Sequence, residues 1–273
     1  MARRARVDAE LVRRGLARSR EHAVELISAG RVLIAGTVAV KPATAVETGT
    51  PLIVREEPDE VSWASRGAHK LLGALEAFEP EGVSVAGKRC LDAGASTGGF
   101  TDVLLNKGAR EVVAVDVGYG QLIWRLQNDD RVQVFDRTNV RNITPESISG
   151  TVDIVVGDLS FISLALVLPA LAACAADGAD LLPMVKPQFE VGKDRVGSGG
   201  VVRDPALRIE VVCDVATAAA ALGLRTLGVV ASPLPGPSGN VEYFLWLRKV
   251  GPFDYDAEQV RALVATAVEE GPQ

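Results

Sequence analysis

The stretch Leu91-Asp92-Ala93-Gly94-Ala95-Ser96-Thr97-Gly98-Gly99-Phe100 constrains the fold of this chain more than any other. Gly87-Lys88-Arg89-Cys90 leads into it as the start of a short buried strand. Thr101 to Lys107 follows it as a helix. A strand ending in an acidic residue, then a glycine turn, then a helix is the nucleotide-cradling unit of an α/β sheet. The glycine spacing narrows the ligand. A dinucleotide turn needs glycine at its first, third and sixth positions, and Ser96 stands where the middle one belongs. A phosphate-binding loop would place Lys and then Ser or Thr after its last glycine, where Phe100 stands. The pattern suits a ligand without a pyrophosphate, and S-adenosylmethionine is the first candidate. A purely structural turn and a variant NAD turn are the alternatives. Asp92, Gly94, Ser96, Gly98, Gly99 and Phe100 are the expected cofactor-binding residues of this turn.

From about residue 61 onward, strands and helices alternate. Strands are expected at 89–92, 111–116, 132–136, 152–158, 181–186, 224–231 and 242–247. Helices are expected at about 68–78, 98–107, 119–128, 164–176, 204–222 and 256–269. This is the signature of a doubly wound, mostly parallel sheet. Asp92, Asp116, Asp136 and Asp158 end four successive strands, one βα unit apart. Ligands in such sheets sit outside the carboxyl ends of the strands. Asp116 is placed to hold ribose hydroxyls and Asp136 to accept from an adenine amino group; helix capping is the plainer reading of either.

Residues 1–55 read as a separate unit. A helix opens at Val7 and stops at Gly15. Ser19 caps a second helix, Arg20 to Ala29, with Ala23, Val24 and Ile27 expected on its buried face. Val32-Leu33-Ile34 and Val38-Ala39-Val40 flank a hairpin turn, and Pro51 to Val54 adds a strand. Glu56 to Glu60 has linker composition. Charge is divided unevenly along the chain. Residues 1–41 hold nine Lys and Arg against four Asp and Glu, so they carry +5, whereas the whole chain carries −6 and the remainder −11. A basic module on an acidic body suggests that the module binds a polyanion. Arg4, Arg6, Arg14, Arg18 and Arg20 are the candidate RNA-binding residues, expected to share one basic face. Lys193, Arg195 and Arg203, in and beside the glycine-rich loop Gly192–Gly200, are further candidate cations, and that loop could close as a lid.

Three cysteines, Cys90, Cys174 and Cys213, argue for a reducing cytosol rather than a disulfide framework. The two histidines are far apart and no zinc-ligand spacing exists, so no metal is expected. The basic N-terminus is not followed by an apolar core, so no signal peptide is expected. Leu159 to Ala176 is 18 residues without a charge, but it contains Pro169 and two serines. It is read as a loop and a packed helix rather than a membrane span.

Lys186 is the oddest residue of the body. It ends the apolar run Leu181 to Val185 and precedes Pro187, and a buried lysine needs a partner. Asp158, at the end of a neighbouring strand, can supply one. His69 is read as a surface residue. The segments Ser65–Lys70, Leu91–Phe100, Asp158–Ser163, Val185–Glu190 and Gly239–Phe244 together resemble the TlyA family, bacterial rRNA 2′-O-methyltransferases also labelled haemolysin A-like. The resemblance runs nearly end to end. It implies an α/β fold: a Rossmann-like class I methyltransferase sheet similar to the FtsJ-like enzymes, over residues 65–273. It also implies a small α+β RNA-binding domain, of the type named after ribosomal small-subunit protein four, over 1–58, with a linker at 59–64. The catalytic Lys-Asp-Lys-Glu tetrad then maps onto Lys70, Asp158, Lys186 and Glu242. The implied reaction moves a methyl from S-adenosylmethionine to the ribose 2′-hydroxyl of cytidines in 16S and 23S rRNA. Lys186 is a general base or a cation that steers the hydroxyl. The partner implied is rRNA in ribosomal subunits, with no DNA and no stable membrane association, for a cytoplasmic monomer or weak dimer.

Overall fold

The computed structural model describes residues 4–55, 62–192, 194–236 and 238–272. Much of the expected linker, together with Lys193, lies outside them. The chain divides into two compact units, Met1–Ser62 and Trp63–Gln273.

The first unit contains β1 (Arg4–Arg6), α1 (Val7–Arg13), α2 (Arg20–Ser28), β2 (Val32–Ile34), β3 (Thr37–Val38), β4 (Ala45–Glu47) and β5 (Leu52–Val54). β1 pairs antiparallel with β4, and β2 lies between β3 and β5. The Ser19 hydroxyl caps α2 by accepting the His22 N–H at 3.1 Å. The buried face of α2 is Ala23, Leu26 and Ile27, whereas Val24 is exposed. At about 100° per residue, Leu26 and Ile27 fall on either side of Ala23, and Val24 lies beyond Ile27 at the edge of that face. This face packs with Val7, Leu11, Val32, Val46 and Leu52 into a small core.

The second unit opens with α3 (Ala68–Phe78) and continues with β6 (Arg89–Ala93), α4 (Gly99–Asn106), β7 (Glu111–Val115), α5 (Trp124–Gln127), β8 (Val132–Phe135) and β9 (Val152–Gly157). It ends with α6 (Leu168–Cys174), β10 (Ala175–Val185), α7 (Pro187–Glu190), α8 (Pro205–Ala220), β11 (Leu224–Ala231), β12 (Tyr243–Lys249) and α9 (Ala257–Glu270). The sheet order is β11-β12-β10-β9-β6-β7-β8. β6 to β10 pair in parallel, while β12 runs antiparallel between β10 and β11. Both faces are covered, α3, α4 and α5 packing on one and α6, α8 and α9 on the other. Strands so buried need no polar alternation, which is why 112–115 reads as unbroken Val and Ala.

The chain proceeds from β6 outward through β7 to β8, then returns to β9 on the other flank of β6. The reversal creates a crevice between the carboxyl ends of β6 and β9. Two expected elements are shorter than the periodicity suggests. α5 is a single turn, because Gly118 and Gly120 hold the preceding segment in a loop, Gly120 at φ +62. The 164–176 helix divides into a turn at Leu164–Leu166 and α6. No helix among the described residues is long and apolar enough to cross a membrane.

Candidate active site

The glycine turn closes over the end of β6. Gly94, Ser96 and Gly98 all adopt positive φ, at +88, +48 and +101. A Cβ on Gly94 would lie 2.9 Å from the Asp158 carbonyl, so this glycine lets the turn press against the end of β9. A Cβ on Gly99 would lie 2.3 Å from Ser65 Oγ and 3.0 Å from the Ala68 nitrogen, so this glycine permits close approach of the segment that starts α3. Asp116, one residue past β7, fixes the turn from the side. Its carboxylate accepts the N–H of Ser96 at 2.8 Å and of Gly118 at 2.6 Å. Asp136, one past β8, accepts the Gly120 N–H at 2.8 Å. Both carboxylates are half-buried and retain lone pairs for further donors.

Two of the expected cofactor residues have buried side chains. Phe100 points into the core, 4% exposed, with its ring centroid 6.1 Å from that of Phe244. Asp92 is wholly buried beneath the turn. Its Oδ2 accepts the Thr101 hydroxyl at 2.7 Å, and Oδ1 is buried without a hydrogen-bond partner. Burial pushes this carboxyl up to about 7. Asp92 thus supports the turn from below.

Beside the turn, four side chains from four separate elements meet. Lys70 comes from the first turn of α3, Asp158 follows β9, Lys186 follows β10 and Glu242 precedes β12. Lys70 Nζ donates to Glu242 Oε2 at 2.6 Å and lies 3.8 Å from Asp158 Oδ2. Lys186 Nζ is 2.6 Å from Asp158 Oδ1. The order is therefore Glu242, Lys70, Asp158, Lys186, with cations and carboxylates alternating. Lys70, Lys186 and Glu242 are all buried; Asp158 is half-buried and is the member nearest solvent. Burying this many charges is tolerable only because each faces an opposite one. His69 is exposed and takes no part.

Ser160 joins the site although the sequence does not single it out, and Glu190 and Asn240 brace loop segments adjoining Lys186 and Glu242 in the chain. Lys186 Nζ donates to Ser160 Oγ at 2.8 Å. Glu190 accepts the Ser163 hydroxyl at 2.6 Å and the Leu164 N–H at 2.8 Å, and burial raises its carboxyl above the ordinary value. Asn240 accepts from the Val202 N–H and donates to the Gly200 carbonyl, both at 2.9 Å. Each lies in or beside a segment that carried the family resemblance, which was the one available signal.

In the N-terminal unit the five candidate arginines differ in kind. Arg14 is an internal fastener. It donates to Glu10 at 2.8 Å and to the carbonyls of Thr48 and Thr50 at 2.8 Å each, with its side chain 21% exposed. Arg6 and Arg20 are exposed, but both pair with the buried Asp8, at 2.8 and 3.0 Å. Arg4 and Arg18 are exposed, and Arg4 lies 3.7 Å from Glu47. Arg195, in the loop expected to serve as a lid, pairs with Glu210.

The FtsJ-like methyltransferase family model matches residues 63–249, and the S4 domain model matches residues 5–52. Over 272 residues, the full length of both chains, this protein is 64% identical to the 16S/23S rRNA (cytidine-2′-O)-methyltransferase TlyA of Mycobacterium tuberculosis. The chain belongs to the TlyA family. A second member, the 23S rRNA (cytidine-2′-O)-methyltransferase TlyA of Campylobacter jejuni, is 34% identical over 68% of this chain and 71% of its own. A solved structure named as a hemolysin from Streptococcus thermophilus superposes with a TM-score of 0.73 at 38% identity. It covers 99% of this chain and 98% of that one. The TlyA body is thus a methyltransferase of the class I fold, and its N-terminal unit is an S4 domain.

Proposed function

We propose that this TlyA protein methylates the ribose 2′-hydroxyl of cytidines in 16S and 23S rRNA, using S-adenosylmethionine. The observation that carries this reading is the alternating chain Glu242–Lys70–Asp158–Lys186, assembled at the carboxyl ends of the strands beside the glycine turn. The substrates named for the M. tuberculosis relative, identical along 64% of the full length, supply the acceptor.

The donor set fits S-adenosylmethionine. Asp116 stands at the end of the second strand, where a carboxylate accepts from ribose hydroxyls. Asp136 stands one strand further out, on the side of the adenine. The turn at Gly94, Ser96, Gly98 and Gly99 supplies a close backbone approach. Asp92 and Phe100 support that turn rather than touch the ligand. Bound S-adenosylmethionine supplies an electrophilic methyl on a sulfonium sulfur.

The chain's own residues then have little covalent work, and most of the catalysis is positioning. Lys186 points its ammonium at the acceptor oxygen while Asp158 and Ser160 hold it. Lys186, so held, orients the hydroxyl toward the methyl; the oxygen–methyl bond forms as the sulfur–methyl bond breaks, and the hydroxyl proton leaves to solvent water. Glu242 holds Lys70, and Lys70 keeps Asp158 from turning away. The basic N-terminal unit would bind rRNA phosphates through Arg4, Arg6, Arg18 and Arg20, while Arg14 holds that unit together.

The test is methylation of purified 30S and 50S subunits with labelled S-adenosylmethionine, followed by mass spectrometry of the ribose-methylated nucleosides. 2′-O-methylcytidine in both subunits is the expected product. Label in a base, or in neither subunit, overturns the reading.

A further inference from the structure

The Lys186 ammonium has three N–H directions. Ser160 Oγ accepts one of them at 2.8 Å, whereas Asp158 Oδ1, 2.6 Å away, is an ion-pair contact without hydrogen-bond geometry. An amine free to rotate about its last bond presents its third direction anywhere on a cone. The ion pair with Asp158 holds the ammonium in place, and the hydrogen bond to Ser160 fixes its rotation. Asp158 alone would leave the rotation open.

Ser160 is itself held. The Asp158 N–H donates to the Ala93 carbonyl at 3.2 Å, tying the start of the loop to the end of β6. Phe161 takes the left-handed conformation at φ +64 and sets its ring 5.1 Å from that of Phe189. Glu190 grips Ser163 and Leu164 at the far end of the loop. Phe189 and Glu190 belong to α7, which begins immediately after Lys186, and the Phe189 N–H donates to the Lys186 carbonyl at 2.8 Å. The loop that carries Ser160 and the strand end that carries Lys186 are therefore fastened to each other at three points. Ser160 is exposed, so its hydroxyl is not a buried polar group satisfied for stability. A surface serine gains little from accepting from a buried lysine; the lysine gains a direction.

We propose that Ser160 is a positioning residue for methyl transfer, its hydroxyl fixing the Lys186 ammonium in the setting that meets the acceptor ribose oxygen. This rests on the assignment of Lys186 to the catalytic tetrad. It requires a hydroxyl at position 160, and Thr supplies one.

The experiment compares full-length wild type with Ser160→Ala, Ser160→Cys, Ser160→Thr and Lys186→Ala, using ribosomal subunits and S-adenosylmethionine as substrates. Calorimetric binding of S-adenosylmethionine and thermal melting are recorded for each variant. Losing one hydrogen bond to a charged group in the transition state predicts that kcat falls about tenfold in Ser160→Ala and Ser160→Cys. KM for both substrates should stay within about twofold of wild type, and Ser160→Thr should recover most of the lost kcat. Lys186→Ala should be inactive. Wild-type kcat in Ser160→Ala beside an inactive Lys186→Ala overturns the proposal and leaves the tetrad standing. A rise in KM for the subunits at constant kcat overturns it too, making Ser160 an RNA contact. Failure of Ser160→Thr to recover rate, in a folded variant, has the same force. Substantial activity in Lys186→Ala overturns the tetrad assignment itself, and the proposal with it.

Discussion

Lys70 and Glu242 are 172 positions apart in the chain, yet ammonium and carboxylate meet at 2.6 Å with Glu242 only 1% exposed. This pair decides how the rest of the site is charged. With Glu242 in place, Lys70 stays 3.8 Å from Asp158, which leaves the other carboxylate oxygen to Lys186. Without that negative charge, Lys70 would draw Asp158 toward itself. Glu242→Gln keeps shape and one acceptor but removes the charge. Methylation of subunits should fall at least tenfold, about 1.4 kcal/mol in the barrier, while S-adenosylmethionine affinity in calorimetry stays near wild type. Unchanged methylation would mean that Glu242 serves packing alone.

Asp116 gives the cofactor prediction. It bridges Ser96 and Gly118 through backbone amides and has lone pairs left for ribose hydroxyls. Asp116→Ala should weaken S-adenosylmethionine binding by about 1.5–3 kcal/mol, the range for hydrogen bonds to a charged group. Titration calorimetry on the purified variant measures this directly. Equal affinity would remove Asp116 from the cofactor site.

Asp92 makes the stability of the body depend on pH in an unusual sense. Its carboxyl is raised from 3.8 to about 7, first by burial. The folded state therefore holds this proton more tightly than the unfolded chain. The stabilising contribution is whole below about pH 4, declines as pH rises, and is gone above about pH 7. That contribution is at most about 4 kcal/mol. All three tryptophans, Trp63, Trp124 and Trp246, lie in the body, so their fluorescence reports this unit alone. Urea unfolding followed by tryptophan emission should show the decline between pH 4 and 7 in wild type, and Asp92→Asn should lack it. Parallel curves for the two proteins would exclude Asp92 as the source.

The places where the sequence was legible have a common physical cause. Asp158, Lys186 and the glycine turn announce themselves because charges and positive-φ residues at the ends of apolar runs are costly without a function. Glu242 and Lys70 needed the family resemblance, since neither interrupts an apolar strand. Ser160 could not be read, because a serine three residues past a strand is common in any loop and only the folded geometry sets it 2.8 Å from an ammonium. The burial of the Phe100 side chain is not legible for a related reason: position after a glycine turn does not say which way the first helical side chain faces. β1 and β4 are three residues each and pair across some forty positions, so neither carries a local periodicity. Arg14 looked like its neighbours in charge, and only its carbonyl partners separate it from them.

Arg14 and Arg4 should therefore behave oppositely. Arg14→Ala removes donors to Glu10, Thr48 and Thr50, and should destabilise the N-terminal unit by about 1–3 kcal/mol. Hydrogen exchange over residues 4–55 reads that loss. The Arg4 pair with Glu47 is exposed and contributes little to stability. Arg4→Ala should leave exchange unchanged and weaken rRNA binding, with the slope of log affinity against log salt falling by about one. Identical effects of the two substitutions on exchange would contradict this division.

Recruitment by the N-terminal unit is the remaining prediction. Residues 1–41 carry +5 on a chain of −6, so the remainder repels RNA on average. The second unit, Trp63–Gln273, has its own sheet, two covered faces and every member of the tetrad. A shortened chain beginning at Trp63 should fold, bind S-adenosylmethionine like the full chain, and lose most rRNA methylation at physiological salt. Part of that loss should return at low salt, where the body's local cations are less screened, despite its negative net charge. The assay is methyl incorporation into 30S and 50S subunits by both chains across a salt series. If the N-terminal unit merely stabilises the body, the shortened chain will melt earlier but methylate at the full rate while folded. If the unit recruits RNA, the shortened chain will keep its melting temperature and its cofactor affinity, and the deficit will appear as a raised KM for the subunits with kcat largely retained.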